Sequence, residues 1–243
     1  MKRKMLMKKL LSRILFWLGF AIIPVFLVVA MSGKASITRE WGLAASIIIL
    51  VAVGLMYLGF ELDASSPREI AVIAVLGAVG AAGRIAFAAL PNIQPTTFIA
   101  IASGYVFGSS AGFMTGSTAA LVSNFFLGQG PWTPWQMFAW GLAGSSAGIV
   151  KRLFPHIGRW GMAVFCILWG YFFGWILNLW SWTTFVKPLN WQSFIAVCAA
   201  SFWFDTFHAI GNAAFYLLFG TGFIKILDRF KHKMIINYEE SIK

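Results

Sequence analysis

SNFFLGQGPWTPWQ, residues 123–136, is a polar and aromatic break between two strongly apolar segments. Gly128, Gly130, Pro131 and Pro134 interrupt any helix that enters it. Asn124, Gln129, Thr133 and Gln136 offer neutral hydrogen-bonding groups. Phe125, Phe126, Trp132 and Trp135 offer broad apolar surface. The stretch carries no charge, but it is too polar and too rich in turn formers to cross a bilayer as a helix. Two readings fit it. A loop at a membrane surface uses aromatics as anchors. A stiff loop with amides and indoles also makes the lip of a pocket for a large, mostly uncharged ligand.

Outward from this break, the chain alternates apolar runs with short polar turns. Of 243 residues, 59% are hydrophobic and 11% charged. A soluble fold of this size cannot hide so much apolar surface. Several windows reach the roughly 20 residues that a membrane-spanning helix needs, and the alternation of a transmembrane barrel is absent. Spans are expected at 14–31, 41–60, 68–90, 135–150, 160–179 and 192–222, with Pro24 kinking the first. Ser66, Pro67 and Glu69 form a helix start. Residues 96–123 are broken by Gly104, Gly108 and Gly112. They read as a hairpin of two short helices of roughly 13–15 residues, each about 20–23 Å long. Its turn must be covered by protein, because lipid satisfies no backbone group.

Charge orients this arrangement. With the N-terminus inside, cytoplasmic segments hold fifteen Lys or Arg and external segments three, as the positive-inside rule requires. The same topology brings the polar breaks at 91–95, 123–136 and 180–191 to the outer face. Both termini are then cytoplasmic, and residues 227–243 form a basic tail. Cys166 and Cys198 lie in apolar runs without metal-ligand spacing and read as small core residues.

Three ionisable side chains fall inside spans: Arg84, Asp205 and His208. Such groups are costly in lipid and mark function or an internal pair. Asp205, His208 and Asn212 follow at i, i+3 and i+7 and so share a helix face. They serve either as a lock between helices, with Arg84 as a partner, or as the floor beneath Asn92, Gln94, Asn124, Gln129, Trp132, Trp135 and Gln136. Ala74, Ala78 and Ala82 at i, i+4 and i+8 make a face of small residues that admits a close helix neighbour. No G-x-S-x-G nucleophile elbow, no H-E-x-x-H and no phosphate-binding G-x-x-x-x-G-K-[ST] is expected, and no catalytic cofactor or nucleic-acid partner is implied.

Three stretches together resemble a known family: REIAVIAVLGAVGAAGRIAFAALPNIQP (68–95), SNFFLGQGPWTPWQMFAWGLAG (123–144) and FDTFHAIGN (204–212). They are similar to the substrate-binding S component of an energy-coupling-factor (ECF) vitamin transporter, above all to the cobalamin type. The resemblance implies an all-α polytopic membrane protein. Residues 67–226 would be a six-helix substrate-binding core, and residues 1–66 would add a basic segment and two extra transmembrane helices. It implies capture of a vitamin, a corrinoid such as cobalamin, from outside. The partners would be a transmembrane coupling subunit, docked on Ala74, Ala78 and Ala82, and two ATPase subunits. The resemblance implies no catalytic activity. Two other classes remain open on the residues alone: a stand-alone secondary transporter with Asp205 and His208 as a proton relay, and an integral-membrane enzyme.

Overall fold

The computed structural model describes residues 7–8, 10–19, 21, 41–62 and 67–240, with the side chains of 234–240 left aside. The Pro24 kink, the 32–40 link and the Ser66 cap lie outside the described residues. Regular structure among the described residues is helical throughout: α1 Leu10–Gly19, α2 Trp41–Leu62, α3 Pro67–Ala86, α4 Thr96–Phe107, α5 Ser109–Leu127, α6 Thr133–Leu153, α7 Arg159–Phe185, α8 Trp191–Phe215 and α9 Thr221–Glu240. A π-helical turn, Tyr216–Gly220, joins α8 to α9. Among the described residues, four helical stretches are long and apolar enough to cross a membrane: α2, α3, α7 and the continuous run Trp191–Lys233. The protein is helical and membrane-embedded. Its outward side chains agree, since Leu50, Val79, Trp203 and Leu218 are all exposed, as lipid-facing residues are.

The frame of the bundle is a three-helix seam of α4, α5 and α6. Gly108, at φ 100, turns the chain from α4 into α5, a conformation that glycine adopts without steric cost. A Cβ on Gly104 would lie 1.7 Å from the Gly144 carbonyl oxygen, and one on Gly144 would lie 2.2 Å from the Gly112 oxygen. The seam is built from a pentapeptide, Gly-Ser-Ser-Ala-Gly, that occurs twice, at 108–112 and 144–148. The two copies pack against each other, because Gly148 also meets Ser109. Its G-x-S-x-G spacing matches a hydrolase nucleophile elbow, but that device needs a strand-to-helix turn. Here the residues after Gly108 in one copy, and all of the other, are helical, so the motif serves backbone approach.

The hairpin at 96–127 is asymmetric. Its first helix has 12 residues and its second 19, against two of equal length from sequence. Residues 123–127 contain no helix breaker, so α5 continues to Gly128. For the same reason α7 runs to Phe185 and takes in half of the expected loop 180–191. In the other direction, α3 stops at Ala86 rather than Leu90. The short connections 87–95, 128–132 and 186–190 share one end of the bundle. The other end gathers basic side chains that cap carbonyls: Lys231 Nζ donates to the Val106 oxygen and Arg159 Nη2 to the Leu217 oxygen at 2.6 Å.

The first helices are packed onto this frame. Ala45, Ile49, Ala52, Val53 and Met56 of α2 are buried, and Tyr57 Oη lies 2.9 Å from Ser117 Oγ of α5. Ser12 of α1 donates to the Gly59 carbonyl at 2.7 Å.

Candidate functional site

α7 and α8 lie tightly together because Gly170 faces the Ala209 backbone and Gly174 faces Asp205. Towards the end that bears the connections 87–95 and 128–132 they part from α3 and α6. A cavity of about 480 Å³ opens there. Arg84 and the turn 87–94 form one wall, Leu127, Gln136 and Trp140 a second, and the α7–α8 pair the third. Trp140 and Phe173 make the aromatic floor, with ring centroids 4.4 Å apart. His208 closes it from below, 4.8 Å from Phe173.

The first wall is held by Arg84, which is 9% exposed. Its Nη1 donates to Ser123 Oγ at 2.7 Å and to Asn124 Oδ1, and the guanidinium lies 4.7 Å from the Trp140 ring centre. Asn124 passes the order on. Its amide donates to Thr133 Oγ1 at 3.0 Å and to Gln136 Oε1 at 2.8 Å. Thr133 in turn donates to Gln129 Oε1 at 2.9 Å. The uncharged loop at 128–132 is thus tied to a buried cation.

The third wall is a polar ladder across α7 and α8. Asn178 Nδ2 donates to Ser201 Oγ at 2.7 Å, and Ser201 Oγ donates to Asp205 Oδ2 at 2.8 Å. The turn 87–94 is fixed to the same helix, since Asn92 Nδ2 donates to the Phe204 carbonyl at 3.0 Å. Asn92 has φ 58, a left-handed conformation that asparagine tolerates.

Of the residues expected at a site, Asn92, Gln94, Gln136 and Asp205 line this cavity. Asn124 stands behind it as the partner of Arg84 and Gln136. Gln129 bonds the Leu121 carbonyl and Thr133 and shapes the loop. Trp132 packs edge-on against Trp180 at 5.7 Å, outside the cavity lining. Trp135 turns the other way: it is 2% exposed and donates to Ser46 of α2, so it belongs to the α2–α6 contact. His208 and Asn212 share the buried face of α8 with Asp205 but lie deeper. His208 Nε2 is 2.7 Å from Thr97 Oγ1, and Asn212 Nδ2 donates to the Cys166 carbonyl at 3.4 Å.

The Asp205 row does lock α8 to its neighbours, through His208 to Thr97 of α4 and Asn212 to Cys166 of α7, but Arg84 makes no hydrogen bond to it. The partners of Arg84 are Ser123, Asn124 and Trp140, on α5 and α6. Arg84 joins Asp205 only by facing the same cavity. Asn178, Ser181 and Ser201 also line it and were not singled out in the sequence. Single polar residues in apolar spans are common; the signal was Ser201 four residues before Asp205, one helical turn away on the same face.

The small-residue helix α3 has two faces. Gly77 and Gly80 meet Thr118 and Ala119 of α5. Ala74, Ala78 and Ala82 are exposed on the outside. Comparison of the chain with protein-family models, with curated proteins and with solved structures finds no match.

Proposed function

We propose that this protein is the membrane-embedded substrate-binding subunit of an ATP-driven vitamin importer, of the ECF type that its motifs resemble. The observation that carries this reading is the cavity at one end of the bundle, walled by buried polar groups on an aromatic floor. Small-molecule sites have this character, with few polar groups placed on a mostly apolar lining. The end that bears the cavity is opposite the basic end. By the positive-inside rule it faces outward, and both chain termini are cytoplasmic.

The chain has no phosphate-binding loop, so ATP-driven uptake requires partner subunits. The exposed Ala74–Ala78–Ala82 face is the dock we assign to the coupling subunit, because small side chains allow close helix approach. The ligand is a vitamin or cofactor precursor. A cavity of about 480 Å³ lies in the lower part of the roughly 300–1,000 Å³ range of small-molecule sites. A corrinoid would enter only with the outer turns parted, whereas a vitamin of one or two rings needs no such opening.

The test is an uptake assay with labelled vitamins in cells that carry or lack the coupling subunit and ATPases. Uptake is expected only with all partners present. Ala78→Trp is expected to keep ligand binding by the isolated subunit and to abolish uptake and co-purification with the partners. Uptake without any ATPase, following the proton gradient, would instead establish a secondary transporter.

A further inference from the structure

Two opposite charges face the same cavity without neutralising each other. Arg84 lies on α3 and Asp205 on α8, 9% and 2% exposed. In apolar surroundings such a pair gains most by meeting directly. Each is instead held by neutral groups of its own wall. Arg84 uses only Nη1, towards Ser123 and Asn124; its remaining N–H donors have no protein acceptor among the described residues. Asp205 receives Ser201 on Oδ2, while Oδ1 sits over Gly174. A Cβ on Gly174 would lie 2.1 Å from that oxygen, so the glycine is the space the carboxylate occupies. An ionisable side chain within a span is costly to insert. Two such groups kept apart at one cavity call for a partner that meets both.

We infer, building on the binding role proposed above, that the ligand is a small dipolar molecule. Its anionic group, a carboxylate or phosphate, meets the free fork of Arg84. Its protonated or strongly donating nitrogen meets Asp205. The ring between them lies on Trp140 and Phe173. Arginine suits the first task because its planar donors match carboxylate and phosphate oxygens in pairs. This replaces the mostly uncharged ligand that the loop at 123–136 suggests by itself.

The experiment uses the full chain in lipid nanodiscs and an equimolar mixture as the probe. Riboflavin carries no charge, biotin and pantothenate an anion only, and thiamine a cation only. Thiamine monophosphate and pyridoxamine phosphate carry both, and cyanocobalamin represents the corrinoids. Retained compounds are identified by mass spectrometry after washing. The wild-type protein is expected to retain a compound with both charges at least tenfold over those with one or none. Arg84→Gln and Asp205→Asn are each expected to lose that preference. Arg84→Lys keeps the charge without the fork, and Gly174→Ala displaces the carboxylate without removing it; both are expected to weaken retention while the ligand-free melting temperature shows a folded protein. Preferential retention of riboflavin, biotin, pantothenate, thiamine or cyanocobalamin would overturn this inference and leave the binding role standing. Retention of nothing at all would overturn both.

Discussion

The α4–α6 seam and the α7–α8 wall solve opposite problems within one bundle. In the seam, Gly104, Gly112 and Gly144 remove side chains so that backbones touch. In the wall, Asn178, Ser201 and Asp205 keep polar side chains where lipid would penalise them. Where Gly104, Gly112 and Gly144 meet, the seam has no room for even a Cβ; the cavity of the wall opens between the α7–α8 pair and α3 and α6. Gly174 shows the two uses in one residue type. In the seam a missing Cβ admits a backbone, and at Gly174 it admits a carboxylate. The contrast teaches that glycine content in this chain says where something comes close, without saying what.

The largest effect is expected in the seam. Gly144→Leu drives a side chain into the backbones of Gly104 and Gly112. Overpacking typically costs about 1–3 kcal/mol even where neighbours can shift, and backbone neighbours cannot. Size-exclusion chromatography in detergent is expected to show loss of the folded monodisperse protein. A variant that stays folded with unchanged melting temperature would mean that the seam is looser than described.

An intermediate effect is expected in the wall. Ser201→Ala takes the donor from Asp205 and the acceptor from Asn178. A buried hydrogen bond to a charged group contributes about 1.5–3 kcal/mol to stability, so the melting temperature should fall, and with Asp205 no longer held ligand affinity should fall with it while the protein stays folded. Affinity equal to wild type would remove the ladder from the site. The smallest effect on the site is expected at Trp135→Phe, which loses the bond to Ser46 and part of a buried ring. Stability should drop by at least the about 0.5–1.5 kcal/mol of the hydrogen bond, with a further cost for the cavity left behind, and with binding unaltered. A loss of binding here would return Trp135 to the cavity and blur the division between the two regions.

Much of the fold was legible because glycine, proline and polarity punctuate it. Gly108, at φ 100, ends α4 within the glycine-broken turn that the sequence suggested, whereas Gly128, at φ 108, ends α5 beyond the expected limit at Ser123. The misread limits are those where composition changed and helix propensity did not. Trp180–Phe185 is polar and aromatic, yet nothing in it breaks a helix before Val186. The doubled pentapeptide at 108–112 and 144–148 was visible as letters, but its meaning needed the pairing of α5 with α6. At the site, the ionisable residues were legible from their cost in lipid, and Asp205 does line the cavity. The direction of Trp135 was not legible, because it stands between the polar Thr133 and Gln136 in a stretch that reads as loop, where no helical period marks an inner face. The partners of Arg84 were equally hidden: Ser123 and Asn124 look like loop residues in sequence and belong to the last turns of α5.

The most direct measurement of the central claim is native mass spectrometry of the full chain released from its membrane in mild detergent. The expected spectrum shows the protein carrying one small molecule at a one-to-one ratio, and the adduct disappears in the Asp205→Asn variant at unchanged folding. A wild-type protein that remains free of any adduct, even after incubation with millimolar water-soluble vitamins, would contradict a ligand-binding role for the cavity between Arg84 and Asp205.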